Sequence, residues 1–511
     1  MTKAIYYNAA QEFIDQNIEN GFAAKAAFID PDRTLSYQEL QTASKQMGNL
    51  LKGLGIKRET RIALLLFDTV DFPVVFWGTV RAGVIPVCLN TLLTTDQYDY
   101  MLSDSRAEAL FISKDLLPMV RPILNQLEFL KHIIVVGGAD SDYPSFETLL
   151  DQASPDFETA KTSPDETAFW LYSSGSTGDP KGVRHVQSSM AYVANWYGKN
   201  ILGITAGDIC FSAAKLFFAY GMGGGMILPM SVGATTVLLP DRPLPSSVLQ
   251  VFKAYNPTLF FGVPTLYAAM LADADCIPQN SSSQLRLCIS AGEALPADVG
   301  LSWKERMNID IIDGIGSTEM LHVFLSNRPD DIRYGTSGKE FDGYKLRLID
   351  DDGQDVTVNE IGELLVNGGS AADGYWNQRA KSRATFAGNW THTGDKYFKD
   401  ADGYYHYCGR TDDMFKVGGR WVSPFEVEQA LASHPIVLEA AVVAKEDDEG
   451  LIKPKAFVVL ISDSSEQDIF ATLKEHVKLS VGAWKYPRWI DIVPDLPKTA
   501  TGKIQRYKLR Q

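Results

Sequence analysis

Arg61-Ile62-Ala63-Leu64-Leu65-Leu66-Phe67 is the run from which the fold can be read. It is short, β-rich and apolar after its first residue, the pattern of a strand buried on both faces. Runs of the same kind recur at 84–89, 109–112, 133–136, 258–261 and 285–290, with helix-like segments between them. Apolar strands alternating with helices predict mainly parallel sheets covered by helices, an α/β fold. The pattern changes after about residue 334. From there to 409 strands and turns alternate, with turns expected at Asp351-Asp352-Gly353 and Asp402-Gly403-Tyr404. That predicts a β-rich subdomain at about 334–409 closing a large N-terminal domain of residues 1–409. The glycine- and charge-rich stretch 409–419 has no apolar periodicity and is expected to be a linker or hinge. Beyond it, helix patterns at 424–433 and 466–479 and strand patterns at 440–444 and 456–460 predict a small, mobile α+β C-terminal domain, residues 410–511.

Composition narrows the function classes. The 511 residues are 45% hydrophobic and 22% charged, which excludes a disordered chain. Five scattered cysteines exclude a disulfide scaffold, lack the spacing of a zinc knuckle and suit a reducing, cytoplasmic location. The net charge of −15 makes a poor general attractant for nucleic acid or an anionic membrane. The end is different: from Lys478 to Gln511 the balance is +6, as expected of an element that meets a polyanion. No secretory signal is expected at the N-terminus, where Glu12, Asp15 and Glu19 interrupt any apolar run. The uncharged stretch 216–240 is long enough to span a bilayer. Its five glycines and Pro229 instead predict a helix, a loop and a buried strand.

The strongest local signal is Ser173-Ser174-Gly175-Ser176-Thr177-Gly178-Asp179-Pro180-Lys181-Gly182, directly after the apolar run 168–172. Glycines free the backbone, hydroxyls and N–H groups can bond phosphate oxygens, and Lys181 adds a point charge. It is no Walker loop, because Gly182 rather than Ser or Thr follows the lysine. Gly221-Met222-Gly223-Gly224-Gly225 has the wrong spacing for a dinucleotide fingerprint, and no G-x-S-x-G elbow supports a serine hydrolase. Seven dispersed histidines argue against a dedicated, protein-bound metal, and a lone His322 reads as structural. Four further clusters combine glycine with a carboxylate or a flat backbone. Ser290-Ala291-Gly292-Glu293-Ala294-Leu295-Pro296 would let a planar ring approach. Asp313-Gly314-Ile315-Gly316-Ser317-Thr318-Glu319 is expected to follow a strand. His392-Thr393-Gly394-Asp395 is expected to hold its acid in a tight turn, suited to a diol, and Gly409-Arg410-Thr411-Asp412-Asp413 adds a guanidinium. Last comes Pro497-Lys498-Thr499-Ala500-Thr501-Gly502-Lys503, a lysine on a glycine-hinged loop.

In this order and at these intervals, the pieces resemble the adenylate-forming superfamily of acyl- and aryl-CoA synthetases, luciferases and peptide-synthetase adenylation domains. The resemblance covers nearly the whole chain. Phe211–Gly221, Gly316–His322 and Gly418-Gly419-Arg420-Trp421-Val422-Ser423-Pro424 look most like benzoate–CoA ligases. It implies that Ser173, Ser174, Gly175, Ser176, Thr177, Gly178 and Lys181 hold the β- and γ-phosphates of ATP. Thr318 would meet the α-phosphate and Glu319 would help bind Mg²⁺. Gly292, Glu293 and Ala294 would pack on adenine, with Asp313 and Gly314 beside its amino group. Asp395 and Arg410 would hold the ribose, Asp412 would be the pivot, and Lys416, Gly418 and Gly419 would face coenzyme A. Lys503 would bridge the acid's carboxylate and the nucleotide.

The resemblance also implies a homodimer, and an aryl site made of Ala219, Tyr220, Ile315, Gly316 and His322. Peptide-synthetase adenylation domains place an acid where this chain has Phe217-Phe218-Ala219-Tyr220, so an amino acid substrate is not expected. The expected activity is ATP-dependent formation of an aryl-CoA from benzoate or a close analogue through an aryl-AMP. The rivals are a medium-chain or alicyclic acyl-CoA ligase, a nucleotide-binding protein without chemistry, and a kinase that would release ADP.

Overall fold

The run at 61–67 is a strand, Arg61–Leu65, buried from Ile62 onward. It lies between Ile85–Cys88 and Ala109–Ser113, both parallel to it. The helices Asp71–Arg81 and Thr95–Ser105 make the crossovers. His132–Val136 extends the parallel set beyond Ala109–Ser113, and Thr167–Ser173 extends it beyond Ile85–Cys88. Lys181–Val186 and Gly374–Tyr375 then add antiparallel strands to complete a seven-stranded sheet. This computed structural model describes residues 6–173, 179–417, 420–461, 469–482, 484–498 and 504–510. Ser174, Gly175, Ser176, Thr177, Gly178, Gly418, Gly419 and Lys503 lie outside the described residues.

A second, eight-stranded sheet runs in the order Val323–Ser326, Ile311–Gly316, Leu287–Ser290, Leu259–Gly262, Ile209–Ser212, Thr235–Val237, Ala26–Ile29, Thr34–Ser36. All pairs but the first and the last are parallel. The expected parallel α/β architecture is therefore present twice. Each sheet has its own core: Leu65, Val87, Leu110, Ile112 and Trp170 under the first, Phe211, Phe252, Phe260, Tyr267 and Trp303 under the second. Local signals set the helix ends. Ser36 and Glu39 form a capping box at Tyr37–Gly53, and Asn256 and Asn308 end their helices in the left-handed region. The uncharged stretch 216–240 folds as short helices between Ala219 and Met230 and the strand Thr235–Val237. No helix among the described residues is long and apolar enough to cross a membrane.

The chain divides into two compact units. The first holds both large sheets; the second is built from 346–365 and from residue 392 onward. The second unit draws on the strands Lys345–Ile349, Gly362–Asn367, Trp390–Lys399 and Tyr405–Arg410, which lie side by side. It also contains Val437–Glu446 and Ile452–Leu460, antiparallel, with Trp489–Ile492 added in parallel. Helices Pro424–Ala432 and Ile469–Val481 share a core with this sheet through Val427, Leu431, Val442, Val458, Leu473 and Val477.

One local expectation is corrected, and two stretches carry more structure than their composition shows. His392-Thr393-Gly394-Asp395 is not a tight turn but part of the ten-residue strand Trp390–Lys399. Gly394, at φ +70°, bends that strand without ending it. The stretch expected to be a linker or hinge carries the end of one strand, Arg410, and the paired strands Phe415–Val417 and Arg420–Val422. Within the basic C-terminal region, Lys485 meets Glu426, Lys498 meets Glu439, and Arg506 meets Glu428 and Asp413 in the same unit.

Candidate active site

Thr167–Ser173 and Lys181–Val186 form a hairpin in which Ser173 and Lys181 face one another. The glycine-serine loop therefore leaves one strand and returns on its antiparallel neighbour, with no helix behind it. Gly374–Tyr375 pairs with the outer side of the return strand, and the ring of Tyr375 lies 4.6 Å from Lys181 Nζ.

The Asp313–Glu319 cluster does not follow a strand, as expected, but begins inside one. Ile311–Gly316 pairs Asp313 with Ser290 on one side and returns antiparallel through Val323–Ser326 on the other. A Cβ on Gly316 would lie 2.5 Å from the carbonyl oxygen of His322, so the reversal leaves room only for glycine there. Thr318 and Glu319 sit at the turn, both partly exposed. His185, four residues after Lys181 on the return strand, places Nε2 2.8 Å from the Thr318 carbonyl oxygen. Burial pulls its imidazole down to about 4, so the ring is neutral near pH 7 and donates through Nε2. The Glu319 carboxylate accepts from Ser173 Oγ at 3.3 Å and Tyr375 Oη at 2.9 Å, both on Oε1. Its main-chain carbonyl accepts from Ala372 N at 2.8 Å. A hydroxyl, an ammonium and a carboxylate from distant sequence are thus brought together.

The expected adenine wall is equally local. Leu287–Ser290 delivers Ala291, and Gly292 follows at φ +95° with open space where a Cβ would stand. Ser290, two residues before that open space, pairs with Asp313 on the neighbouring strand. Asp313 is 4% exposed; Oδ2 accepts from Leu295 N at 3.3 Å, and Oδ1 has no partner among the described residues. Burial pushes its carboxyl up to about 8. A neutral acid with an unpartnered oxygen suits an exocyclic amino donor better than a cation does.

Of the expected aryl-site residues, Tyr220 and His322 lie close together. Tyr220 donates to the Ile289 carbonyl oxygen at 3.0 Å. The ring of His322 lies 5.7 Å from that of Tyr220 and 5.3 Å from that of Tyr197. Neither ring nitrogen of His322 finds a hydrogen-bond partner among the described residues, and burial lowers its basicity to about 4. The glycine run that failed as a dinucleotide motif has a packing role: a Cβ on Gly223 would meet His322 Cδ2 at 1.9 Å, and one on Gly224 would meet Phe261 at 2.6 Å. Ala219 opens the same helical segment, and Gly316 lies against the His322 carbonyl at the end of the strand Ile311–Gly316 that also carries Ile315. Asp68 is missed by any motif search. It is buried and accepts from Leu216 N at 3.2 Å, fixing the chain just ahead of Ala219 and Tyr220. Burial pushes Asp68 up to about 6.

In the second unit, Arg410 Nη1 donates to Asp395 Oδ1 at 3.1 Å and to the Thr393 carbonyl oxygen at 3.0 Å. A Cβ on Gly394 would lie 2.8 Å from Arg410 Nη2, a second reason for glycine there. The strand register sets Asp395 opposite Arg410. Lys416 Nζ lies 4.4 Å from the Trp421 ring centre and 3.7 Å from Asp351. The Asp412 carbonyl oxygen accepts from Arg510, and the neighbouring Asp413 makes the ion pairs with Arg506 and Arg510.

The family model of AMP-binding enzymes matches residues 15–376, and that of the AMP-binding enzyme C-terminal domain matches 426–503. The chain belongs to the AMP-binding enzyme family. It is 56% identical over 507 residues to a 4-hydroxybenzoate–CoA/benzoate–CoA ligase of Rhodopseudomonas palustris, covering 99% of this chain and 94% of that one. A crystal structure of an anthranilate CoA ligase in complex with anthranoyl-AMP superposes with a TM-score of 0.94 at 44% identity, covering 99% and 97% of the two chains. A benzoate CoA ligase from Burkholderia xenovorans LB400 superposes with a TM-score of 0.91 at 45% identity, covering 99% and 100%. The α/β N-terminal region and the smaller α+β C-terminal region of this AMP-binding enzyme are those of the ligase fold.

Proposed function

We propose that this enzyme converts benzoate or a close analogue to its CoA thioester through an aryl-AMP, releasing pyrophosphate and AMP. The observation that carries the reading is the meeting of Ser173, Lys181 and Glu319 around Tyr375, in the unit that also holds Thr318 and the Tyr197, Tyr220 and His322 rings. A benzoate carboxylate is a weak nucleophile and is repelled by triphosphate, so the first step needs positioning and compensating positive charge. Lys181 and the hydroxyls of the loop that includes Ser173 address the β- and γ-phosphates. Thr318 addresses the α-phosphate, where the carboxylate attacks as pyrophosphate leaves. Glu319 fits magnesium: it offers one carboxylate beside hydroxyl oxygens, and magnesium commonly takes one or two carboxylates together with substrate phosphates and water. When bound, the ion would neutralise phosphate charge. Gly292, Glu293, Ala294, Asp313 and Gly314 hold adenine, and Asp395 with Arg410 supplies a carboxylate and a guanidinium for the ribose hydroxyls.

The aryl ring is assigned to Ala219, Tyr220, Ile315, Gly316 and His322. The unpartnered nitrogens of His322 favour substrates with a polar ring substituent as well as benzoate itself. In the second step the thiol of coenzyme A attacks the mixed anhydride and AMP departs. The thiol's approach is assigned to Lys416, with Gly418 and Gly419 expected there from the sequence alone. Lys503 belongs to the first step only, which requires the domain beginning at 410 to pivot about Asp412. Lys503→Ala should then abolish aryl-AMP formation and spare thioester formation from supplied aryl-AMP. A cytoplasmic, homodimeric enzyme completes the proposal. Its test is a panel of acids read by CoA-thioester formation: benzoate and hydroxybenzoates should lead, and a strong preference for hexanoate, octanoate or an alicyclic acid would replace the aryl assignment.

A further inference from the structure

Tyr375 belongs to none of the glycine-rich motifs, yet it touches two of the groups that the reaction needs. It lies on the two-residue strand Gly374–Tyr375, which pairs Tyr375 with Val183 on the outer face of the strand that starts at Lys181. That pairing puts its ring 4.6 Å from Lys181 Nζ. Its hydroxyl donates to Glu319 Oε1 at 2.9 Å, a shorter bond than the one from Ser173 to the same oxygen. The same short segment grips Glu319 a second time, through the bond from Ala372 N to the Glu319 carbonyl oxygen. Tyr375 is 5% exposed and packs against Phe386, so its ring cannot swing away without disturbing a core.

We propose that Tyr375 is a positioning residue that locks the Glu319 carboxylate and the Lys181 ammonium in one fixed relation, so that the enzyme receives ATP as its metal complex rather than as the free nucleotide. The inference rests on the nucleotide reading above. A carboxylate at a turn has free rotation about its side-chain bonds, and two hydroxyls on one oxygen remove it. A hydrogen bond to a charged acceptor is worth more than a neutral one, and its loss returns that rotational freedom. The ring face adds a separate, weaker restraint on Lys181. The two contacts can be separated by substitution. Tyr375→Phe keeps the face toward Lys181 and removes the hydroxyl; Tyr375→Leu removes both.

The test is calorimetric binding of Mg·ATP and of ATP with the metal chelated, on wild type, Tyr375→Phe, Tyr375→Leu and Glu319→Gln. Tyr375→Phe should weaken Mg·ATP about tenfold, the scale of one hydrogen bond to a charged group, and leave metal-free ATP within about twofold. Tyr375→Leu should weaken both forms. Placed on Glu319→Gln, Tyr375→Phe should have no further effect on Mg·ATP, because its route through the carboxylate is already gone. The proposal is overturned if Tyr375→Phe binds Mg·ATP as wild type does, if it weakens both forms equally, or if its effect persists on Glu319→Gln. Should Tyr375→Phe not fold, Ser173→Ala removes the other hydroxyl on the same oxygen together with a phosphate contact, and should weaken Mg·ATP several-fold more than metal-free ATP; equal weakening of the two overturns the proposal. A wild-type enzyme that binds no ATP at all overturns the nucleotide reading itself, a different outcome from any of these.

Discussion

His185 and Thr318 are 133 residues apart in sequence, and the imidazole Nε2 lies 2.8 Å from the Thr318 carbonyl oxygen. The ring stacks on Phe169 at 5.1 Å with a 22° tilt, so the donor is held from its face as well as its edge. His185→Ala would leave that carbonyl without its donor and open a void behind the turn that carries Thr318 and Glu319. Unfolding free energy should fall by about 2–4 kcal/mol in a urea titration. The rate of pyrophosphate release should fall with it, while KM for the aryl acid stays near the wild-type value.

Asp313 gives a pH dependence with a definite sign. Its folded-state pKa, about 8, lies above its ordinary value of 3.8, so the folded form holds a proton that the unfolded chain releases. That contribution is complete below the ordinary value and is lost as pH rises toward 8. Asp313→Asn cannot titrate. Between about pH 5 and pH 8 the ligand-free variant should therefore gain stability on wild type by about 1 kcal/mol per pH unit, read from paired denaturation curves. Parallel curves for the two proteins would remove the buried neutral acid from the account.

Gly223 can be tested in the opposite sense, by adding an atom. Gly223→Ala places a methyl group on His322 and must push that ring toward Tyr220 or Tyr197. KM for the aryl acid should rise by about tenfold or more with KM for ATP nearly unchanged. An equal rise in both would mean that His322 is not at the aryl end of the site.

Glu319→Gln keeps the shape of the side chain and removes its charge. Aryl-AMP formation should drop by about 100-fold or more, as for other losses of transition-state electrostatics, with a melting temperature close to that of wild type.

The sheets and several candidate site residues stand out in the sequence. Short apolar runs such as 61–67 and 285–290 gave the parallel sheets because a strand buried on both faces has no other pattern to show. The glycine-serine loop, Asp313 and Thr318-Glu319 were legible because phosphate and ring binding need glycine next to hydroxyl or carboxylate in a few consecutive residues. What escaped is chemistry made by topology. Tyr375 reaches Glu319 across 56 residues and Asp68 reaches Leu216 across 148, and neither carries a local signal. The spacing of Gly223 and Gly224 excluded a dinucleotide motif but gave no sign of their packing against His322 and Phe261. His392-Thr393-Gly394-Asp395 read as a turn because glycine beside aspartate usually ends a strand; here the strand absorbs the positive φ of Gly394 and continues.

The central claim is that an aromatic carboxylate is activated as its adenylate before any thiol is involved. Purified enzyme given ATP, Mg²⁺ and benzoate without coenzyme A should release pyrophosphate in an amount close to that of the active sites and retain benzoyl-AMP. Adding coenzyme A should then yield benzoyl-CoA and AMP together. Release of ADP, or thioester formation with no acid-dependent pyrophosphate, would contradict it.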